Sequence, residues 1–295
     1  LCKVNDEFLI QNSLTKSTMK LIDESKFKNL LSGLSIEDTI SGGSVANSIV
    51  GLSQLGNKVG FIGKVNEDEL GQKYEVGLKK EKVSFLYKKK HEATPTGTCL
   101  ILITPDSERT MCTFLGTAGK VSDKDVDTDQ IKKAEITFLE GYLWDEGEPK
   151  KAFDKAIINS NKVAMSLSDL FCVERHKTQF LELVRHKLDI IFANEQEILS
   201  LIDSKSFDEA VAFAKSLNKN VIITRGEKGA LSVNKGEIVE CAAEKNLHVT
   251  DLTGAGDLFA AGYLHGIINN LSIHESLKKG TEMSTKVIQK IGARI

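Results

Sequence analysis

From about residue 130 the sequence alternates short apolar runs with amphipathic stretches of helical length, and this alternation narrows the available folds more than any other feature. The runs Ile136-Thr137-Phe138-Leu139, Val163-Ala164-Met165-Ser166-Leu167, Ile190-Ile191-Phe192 and Val221-Ile222-Ile223 have the length and character of buried strands. Strands separated by helices in this rhythm form βαβ units, so a parallel sheet is predicted. Glu140, Asp169, Asn194 and Thr224 follow the runs and fall at strand carboxyl ends, where open α/β sheets bind ligands.

A different pattern occupies residues 85–115. Thr98 to Thr104 and Thr110 to Leu115 flank the turn-like Pro105-Asp106-Ser107-Glu108-Arg109, which predicts an antiparallel hairpin. Three prolines and no Gly/Ser-rich linker argue against a tethered second domain. The expectation is a single domain over 1–295, with a lid formed by about 8–42 and 85–116 inserted into its α/β core.

Composition excludes several classes. With 295 residues, 41% hydrophobic and 27% charged, the chain can bury a sizeable core. No apolar run reaches the roughly 18 residues of a membrane span, and Leu1-Cys2-Lys3 lacks the features of a secretory signal. The first residue is not methionine, and an upstream segment is expected. Five scattered cysteines without a Cys-x-x-Cys pair point to reduced thiols rather than zinc or disulfides. The net charge of -2 offers no footprint for nucleic acid, and Lys88-Lys89-Lys90 reads as a solvated strand end. A cytoplasmic protein, monomeric or homodimeric, is expected.

The chemistry concentrates in Asp251-Leu252-Thr253-Gly254-Ala255-Gly256-Asp257. Apolar residues continue at helical spacing from Leu258 through Ile268, so the glycines open a helix. Without side chains at 254 and 256, backbone N–H groups and the helix dipole can approach an anion closely. Asp257 would then sit beside a phosphate as a base for an attacking hydroxyl. The competing reading is a glycine turn whose Asp only complements the helix dipole. No Gly-x-x-x-x-Gly-Lys-Ser/Thr occurs, and Phe259 stands where Gly-x-Gly-x-x-Gly needs its third glycine, so P-loop and dinucleotide readings lose ground.

Together with Gly42-Gly43-Ser44-Val45-Ala46-Asn47 and Gly60-Phe61-Ile62-Gly63-Lys64-Val65-Asn66-Glu67-Asp68-Glu69-Leu70-Gly71, this loop makes the sequence resemble the ribokinase family, the PfkB carbohydrate kinases. The resemblance spans nearly the whole chain. It implies a ribokinase-like three-layer α/β/α domain with a mainly parallel sheet and a small β-sheet lid. It also implies ATP-dependent transfer of phosphate to a hydroxyl, with ATP and Mg²⁺ as cofactors and a small sugar or nucleoside as partner.

Site roles follow from the resemblance. Asp257 is the base, and the Gly254, Ala255 and Gly256 amides stabilise the moving phosphoryl oxygens. Gly42 and Gly43 offer backbone, and Asn47 an amide, to acceptor hydroxyls; Val45, Ile49 and Leu52 mark the apolar face of that helix, and Asn47 is expected to point away from the core. The alternative is a packed helix start with a solvated Asn. Glu140 is placed against the acceptor.

Asn194-Glu195-Gln196-Glu197 is similar to the family's Asn-x-x-Glu element, in which Asn194 and Glu197 position phosphate and magnesium, Glu197 through water. A helix cap with an exposed Glu is the competing reading. Thr224-Arg225-Gly226-Glu227-Lys228-Gly229 is similar to a nucleotide loop in which Thr224, Gly226 and Gly229 border ATP; the stretch through Asn234-Lys235-Gly236 also reads as a plain hairpin. Asp251, near Thr253 and Gly292, resembles a monovalent-cation (K⁺) site, or else braces the loop.

Family members usually begin with a strand carrying an acidic residue for acceptor hydroxyls. This sequence opens after that point, and Asp6 lies in the wrong context to replace it. Thr96 to Met111 and Glu140-Gly141-Tyr142-Leu143-Trp144-Asp145 look most like bacterial adenosine kinases and adenosine kinase-like sugar kinases; Phe114, Tyr142 and Trp144 are candidates to stack on a purine, although core packing is the role expected of most aromatics here. Adenosine is the favoured acceptor; ribose, fructose or a keto-deoxy sugar acid is the alternative. A non-catalytic nucleotide or sugar sensor is the alternative of another class.

Overall fold

Val221, Ile222 and Ile223 are all buried, yet Ile222 packs into a different apolar cluster from its two neighbours. Successive strand residues point to opposite faces, so the strand Asn220–Thr224 is sandwiched between two cores. The same split separates Ile191 from Ile190 and Phe192, and Met165 from Ala164. Helices Leu170–His186, Glu195–Leu201 and Phe207–Ser216 close one face through Val173, Phe180, Ile198 and Ala210. Helices Ser44–Gln54, Ala255–Ile268 and Ile273–Ile288 close the other through Leu52, Phe259, Tyr263 and Leu277. Three layers, α/β/α, result.

These elements belong to one of two units in the computed structural model, which describes residues 1–16, 18–106, 108–144 and 147–295. This unit comprises residues 42–61, 81–84 and 122–295. Its six strands run in the order Glu237–Cys241, Ala230–Asn234, Asn220–Thr224, Ile190–Asn194, Val163–Ser166, Thr137–Glu140. The last four are mutually parallel, as the alternating sequence predicts. The first two are antiparallel additions, joined by Lys235-Gly236 with φ of 50° and 87°, a two-residue hairpin link of left-handed residues. Glu140 pairs with Ser166 and Asn194 with Thr224 in register, so the polar ends share one sheet edge.

The other unit comprises residues 1–41, 62–80 and 85–121. The predicted hairpin is present as Thr98–Ile103 against Arg109–Phe114, flanked in parallel by Cys2–Lys3 and Met19–Leu21. Leu100, Leu102 and Cys112 alternate into a core shared with Leu9, Ile22 and Leu30. Ser107 of the turn, and Asp145 after Trp144, lie outside the described residues. The lysine run corrects one expectation: Lys89 is only 14% exposed at its side chain and pairs with Glu75 at 2.9 Å, while Lys88 and Lys90 stay in solvent. Among the described residues no helix is long and apolar enough to cross a membrane.

Candidate active site

Gly51 sets the site. A methyl group there would meet Leu258 Cδ1 at 2.7 Å and Ala261 Cβ at 2.9 Å, so only glycine lets the Ser44 helix and the Ala255 helix pack this closely. Their amino-terminal turns are thereby brought side by side. Ser44 Oγ donates to Asp257 Oδ1 at 2.7 Å, and Asn47 Nδ2 donates to Asp257 Oδ2 at 2.9 Å. Glu140, at the end of its strand, accepts from the Val45 N–H at 2.8 Å and so occupies the start of the same helix.

Burial pushes the Asp257 carboxyl above the usual carboxylate range, while the Asn47 and Ser44 bonds and the Arg294 charge pull it back. The net direction is upward, so the carboxyl holds a proton more readily than an exposed aspartate does. Glu140 is pushed up to about 7, chiefly by burial, against the Val45 hydrogen bond and with the Asp257 charge adding to the rise.

The glycine loop opens its helix as expected. Gly254 is the N-cap at φ 80°, and a side chain there would lie 2.7 Å from Ala293 Cα and Cβ. Gly256 faces open space. Of the three amides expected to act together, Ala255 N–H is already bonded to the Leu252 carbonyl at 3.2 Å. The N–H groups of Gly254, Gly256 and Asp257 are the remaining donors at this helix start that have no intrahelical partner. Asp251 braces this loop: it is buried, with Oδ1 accepting from Thr253 N at 2.8 Å and Oδ2 from Gly292 N at 2.7 Å.

Asn47 does not point away from the core. It is 5% exposed, and both ends of its amide are engaged, the oxygen accepting from Arg294 Nε at 3.0 Å. Its helix is flanked on both sides, so the face opposite Val45 meets protein rather than solvent. Arg294 also reaches the Gly42 carbonyl at a long 3.5 Å. The sequence alone assigns no role to Ser44 or to Arg294. Nothing local marks either as a partner of Asp257.

On the sheet edge, Asn194 and Glu197 form a reciprocal capping box. Asn194 Oδ1 accepts from Glu197 N at 2.8 Å, and Glu197 Oε2 accepts from Asn194 N at 2.9 Å. Glu197 is nevertheless buried, not exposed, and its carboxyl is pushed up to about 7 by burial, countered by the Asn194 N–H and reinforced by the Asp169 charge.

Thr224 stands beside Asn194 in the sheet, and Gly226 (φ 56°) opens onto free space. Gly229 is held for packing: a side chain would sit 2.2 Å from the Cys241 carbonyl. Arg225 anchors the loop, bonding Glu195 at 3.0 Å and stacking 3.7 Å above the Phe207 ring. Trp144 is withdrawn from purine stacking: it is 3% exposed, packs edge-on against Phe153 and Phe180, and donates to Gln179. Phe114, in the other unit, packs against Phe27. The Tyr142 hydroxyl donates to the Ser168 carbonyl at 3.2 Å.

The Asp257 carboxyl group, held by two donors, thus lies in the first turn of a glycine-opened helix. The sequence profile described as pfkB family carbohydrate kinase matches residues 28–295. The chain belongs to this family.

Among solved structures it is similar to the adenosine kinase from Sinorhizobium meliloti, with 36% identity, a TM-score of 0.94 and coverage of 99% of this chain and 91% of that one. It is also similar to a probable sugar kinase protein from Rhizobium etli CFN 42, with 38% identity, a TM-score of 0.93 and coverage of 99% and 90%. By sequence it resembles the 5-dehydro-2-deoxygluconokinase of Listeria monocytogenes, 27% identical over 268 residues, which are 84% of this chain and 81% of that protein. The fold is ribokinase-like, and membership of this kinase family implies ATP, typically with Mg²⁺.

Among the described residues no group of three or more His, Cys, Asp or Glu could hold a metal. Mg²⁺ commonly takes only one or two carboxylates beside water and substrate phosphates, and a single carboxylate, Glu197, at the Asn194 strand end fits that donor set.

Proposed function

We propose that the chain transfers the γ-phosphoryl group of ATP to a hydroxyl of a nucleoside or sugar, with the 5′-hydroxyl of adenosine as the favoured acceptor. The observation that carries this reading is the placement of Asp257, fixed by Ser44 and Asn47 in the first turn of the helix that Gly254 opens.

In the proposed step the acceptor hydroxyl loses its proton to Asp257 as its oxygen bonds to the γ-phosphorus, and the bond from that phosphorus to the β,γ-bridging oxygen breaks. ADP leaves with the electron pair. The Gly254, Gly256 and Asp257 amides stabilise charge on the transferring oxygens. Mg²⁺, when bound, neutralises the phosphates, with Asn194 and Glu197 on its side of the site. Thr224 and Gly226 border the nucleotide, Gly42, Gly43 and Glu140 the acceptor. The hairpin-bearing unit is assigned the part of a lid that excludes water during transfer. Asp251 is assigned the monovalent-cation loop, with K⁺ as the ion.

A sugar acceptor is the second reading, supported by the similarity to the Listeria kinase and the Rhizobium etli protein. A coupled ADP-release assay across adenosine, other nucleosides, ribose, fructose and keto-deoxy sugar acids, with and without K⁺, separates the two. Highest kcat/KM on adenosine supports the favoured reading, and preference for a free sugar replaces it. Absence of turnover on every acceptor leaves a nucleotide or sugar sensor.

A further inference from the structure

The side-chain amide of Asn47 lies between a group that can only donate and a group that can only accept. On one side is the Arg294 guanidinium, whose Nε is 3.0 Å from Asn47 Oδ1. On the other is the Asp257 carboxyl group, both of whose oxygens accept, Oδ1 from Ser44 Oγ at 2.7 Å and Oδ2 from Asn47 Nδ2 at 2.9 Å. An asparagine amide can rotate by half a turn and exchange its oxygen and nitrogen. Rotated here, it would set NH₂ against guanidinium and oxygen against carboxylate, losing both bonds and adding two repulsions. The arginine therefore selects one orientation. Its Nη2 also reaches the Gly42 carbonyl at 3.5 Å, linking the turn before the Ser44 helix to the same guanidinium.

We propose that Arg294 is a positioning residue for phosphoryl transfer, acting through Asn47 to hold the Asp257 carboxylate in the orientation that receives the acceptor proton. This rests on the assignment of Asp257 as the base. The effect proposed for Arg294 is transmitted by the Asn47 amide and by its charge. Glu140 and Tyr142 also face Asp257 electrostatically, and of the charged groups that influence it Arg294 supplies the positive one. Removing Arg294 should therefore loosen the base and also make it harder to ionise.

The test compares Arg294→Met, which keeps the apolar stem, and Arg294→Lys, which keeps the charge but not the fork, with wild type. The Asp257 carboxyl is followed by ¹³C NMR in protein labelled at aspartate, its signal assigned with Asp257→Asn. With Arg294→Met the titration midpoint of Asp257 should rise by about one pH unit, and kcat, measured on the best acceptor of the panel above, should fall roughly tenfold with KM for ATP unchanged. Arg294→Lys should restore the midpoint but not the rate. With Asn47→Ala already present, Arg294→Lys should bring no further loss of rate.

If Arg294→Met leaves both midpoint and kcat at wild-type values, the inference is overturned. It is also overturned if the variant only lowers thermal stability, without moving either. Should Arg294→Met not fold, an unchanged rate in Arg294→Lys overturns it and a reduced rate with an unshifted midpoint supports it. Asp257→Asn distinguishes the two levels: near-normal turnover there removes the base itself, whereas an inactive Asp257→Asn beside unaffected Arg294 variants removes only Arg294.

Discussion

Asn47 donates to Asp257 at 2.9 Å across 210 positions of sequence. Ser44 takes the other carboxylate oxygen, so neither oxygen is held by its own helix alone. The carboxylate is aimed by a separate element, and its orientation depends on two helices staying in contact.

Asp257→Asn should lower kcat by about 10² to 10⁴ while leaving ATP affinity intact. Steady-state turnover together with equilibrium ATP binding checks this. Turnover near that of wild type would remove Asp257 from the role of base.

The two glycines of the loop should respond differently to alanine. Gly254→Ala places a side chain at φ 80° and 2.7 Å from Ala293, and should destabilise the protein by about 1 to 3 kcal/mol or more. Gly256→Ala meets nothing within 4 Å and should fold with wild-type stability. Its turnover should nevertheless fall roughly tenfold or more, because the methyl group stands where phosphate oxygens approach the amide. Denaturation midpoints and kcat, measured on both variants, separate the two effects.

Glu197 makes stability depend on pH in a defined direction. Its folded carboxyl titrates at about 7, above the usual carboxylate range, so the native state holds a proton that the unfolded chain has already released. Its stabilising contribution is complete below the unfolded value and declines as pH rises through about 7, a loss on the order of 3 kcal/mol. Glu197→Gln cannot titrate. The stability difference between wild type and this variant should shift against wild type from pH 5 to pH 8, as read from chemical denaturation at each pH. A difference independent of pH contradicts the assignment.

Tyr263 tests the core apart from the chemistry. Its buried hydroxyl donates to Asn220 Oδ1 at 3.0 Å and lies 3.1 Å from Ser232 Oγ, in the centre of the sheet-and-helix layer. Tyr263→Phe should lower stability by about 1 to 2 kcal/mol with kcat unchanged. Thermal denaturation and turnover are sufficient to check it.

The parts of this protein legible in the sequence are those whose cause is local. Strand-length apolar runs, the Lys235-Gly236 hairpin and the glycine-opened helix at 254 each depend on a few neighbouring residues. Asn194 and Glu197 were half legible: the cap follows from their spacing, whereas the burial of Glu197 depends on what covers it, which a polar tetrapeptide does not reveal. Arg294 and Ser44 were missed as partners because 247 positions separate Arg294 from Asn47 and 213 separate Ser44 from Asp257. Trp144 is a plausible purine platform by composition alone; only the packing of Phe153 and Phe180 around it assigns it to the interior.

Gly51 carries no functional group, yet the distance between the helix that holds Asp257 and the helix that aims it is set by the missing methyl at that position. A library sorted for folded protein and a library sorted for catalysis would therefore converge on glycine there for one and the same reason.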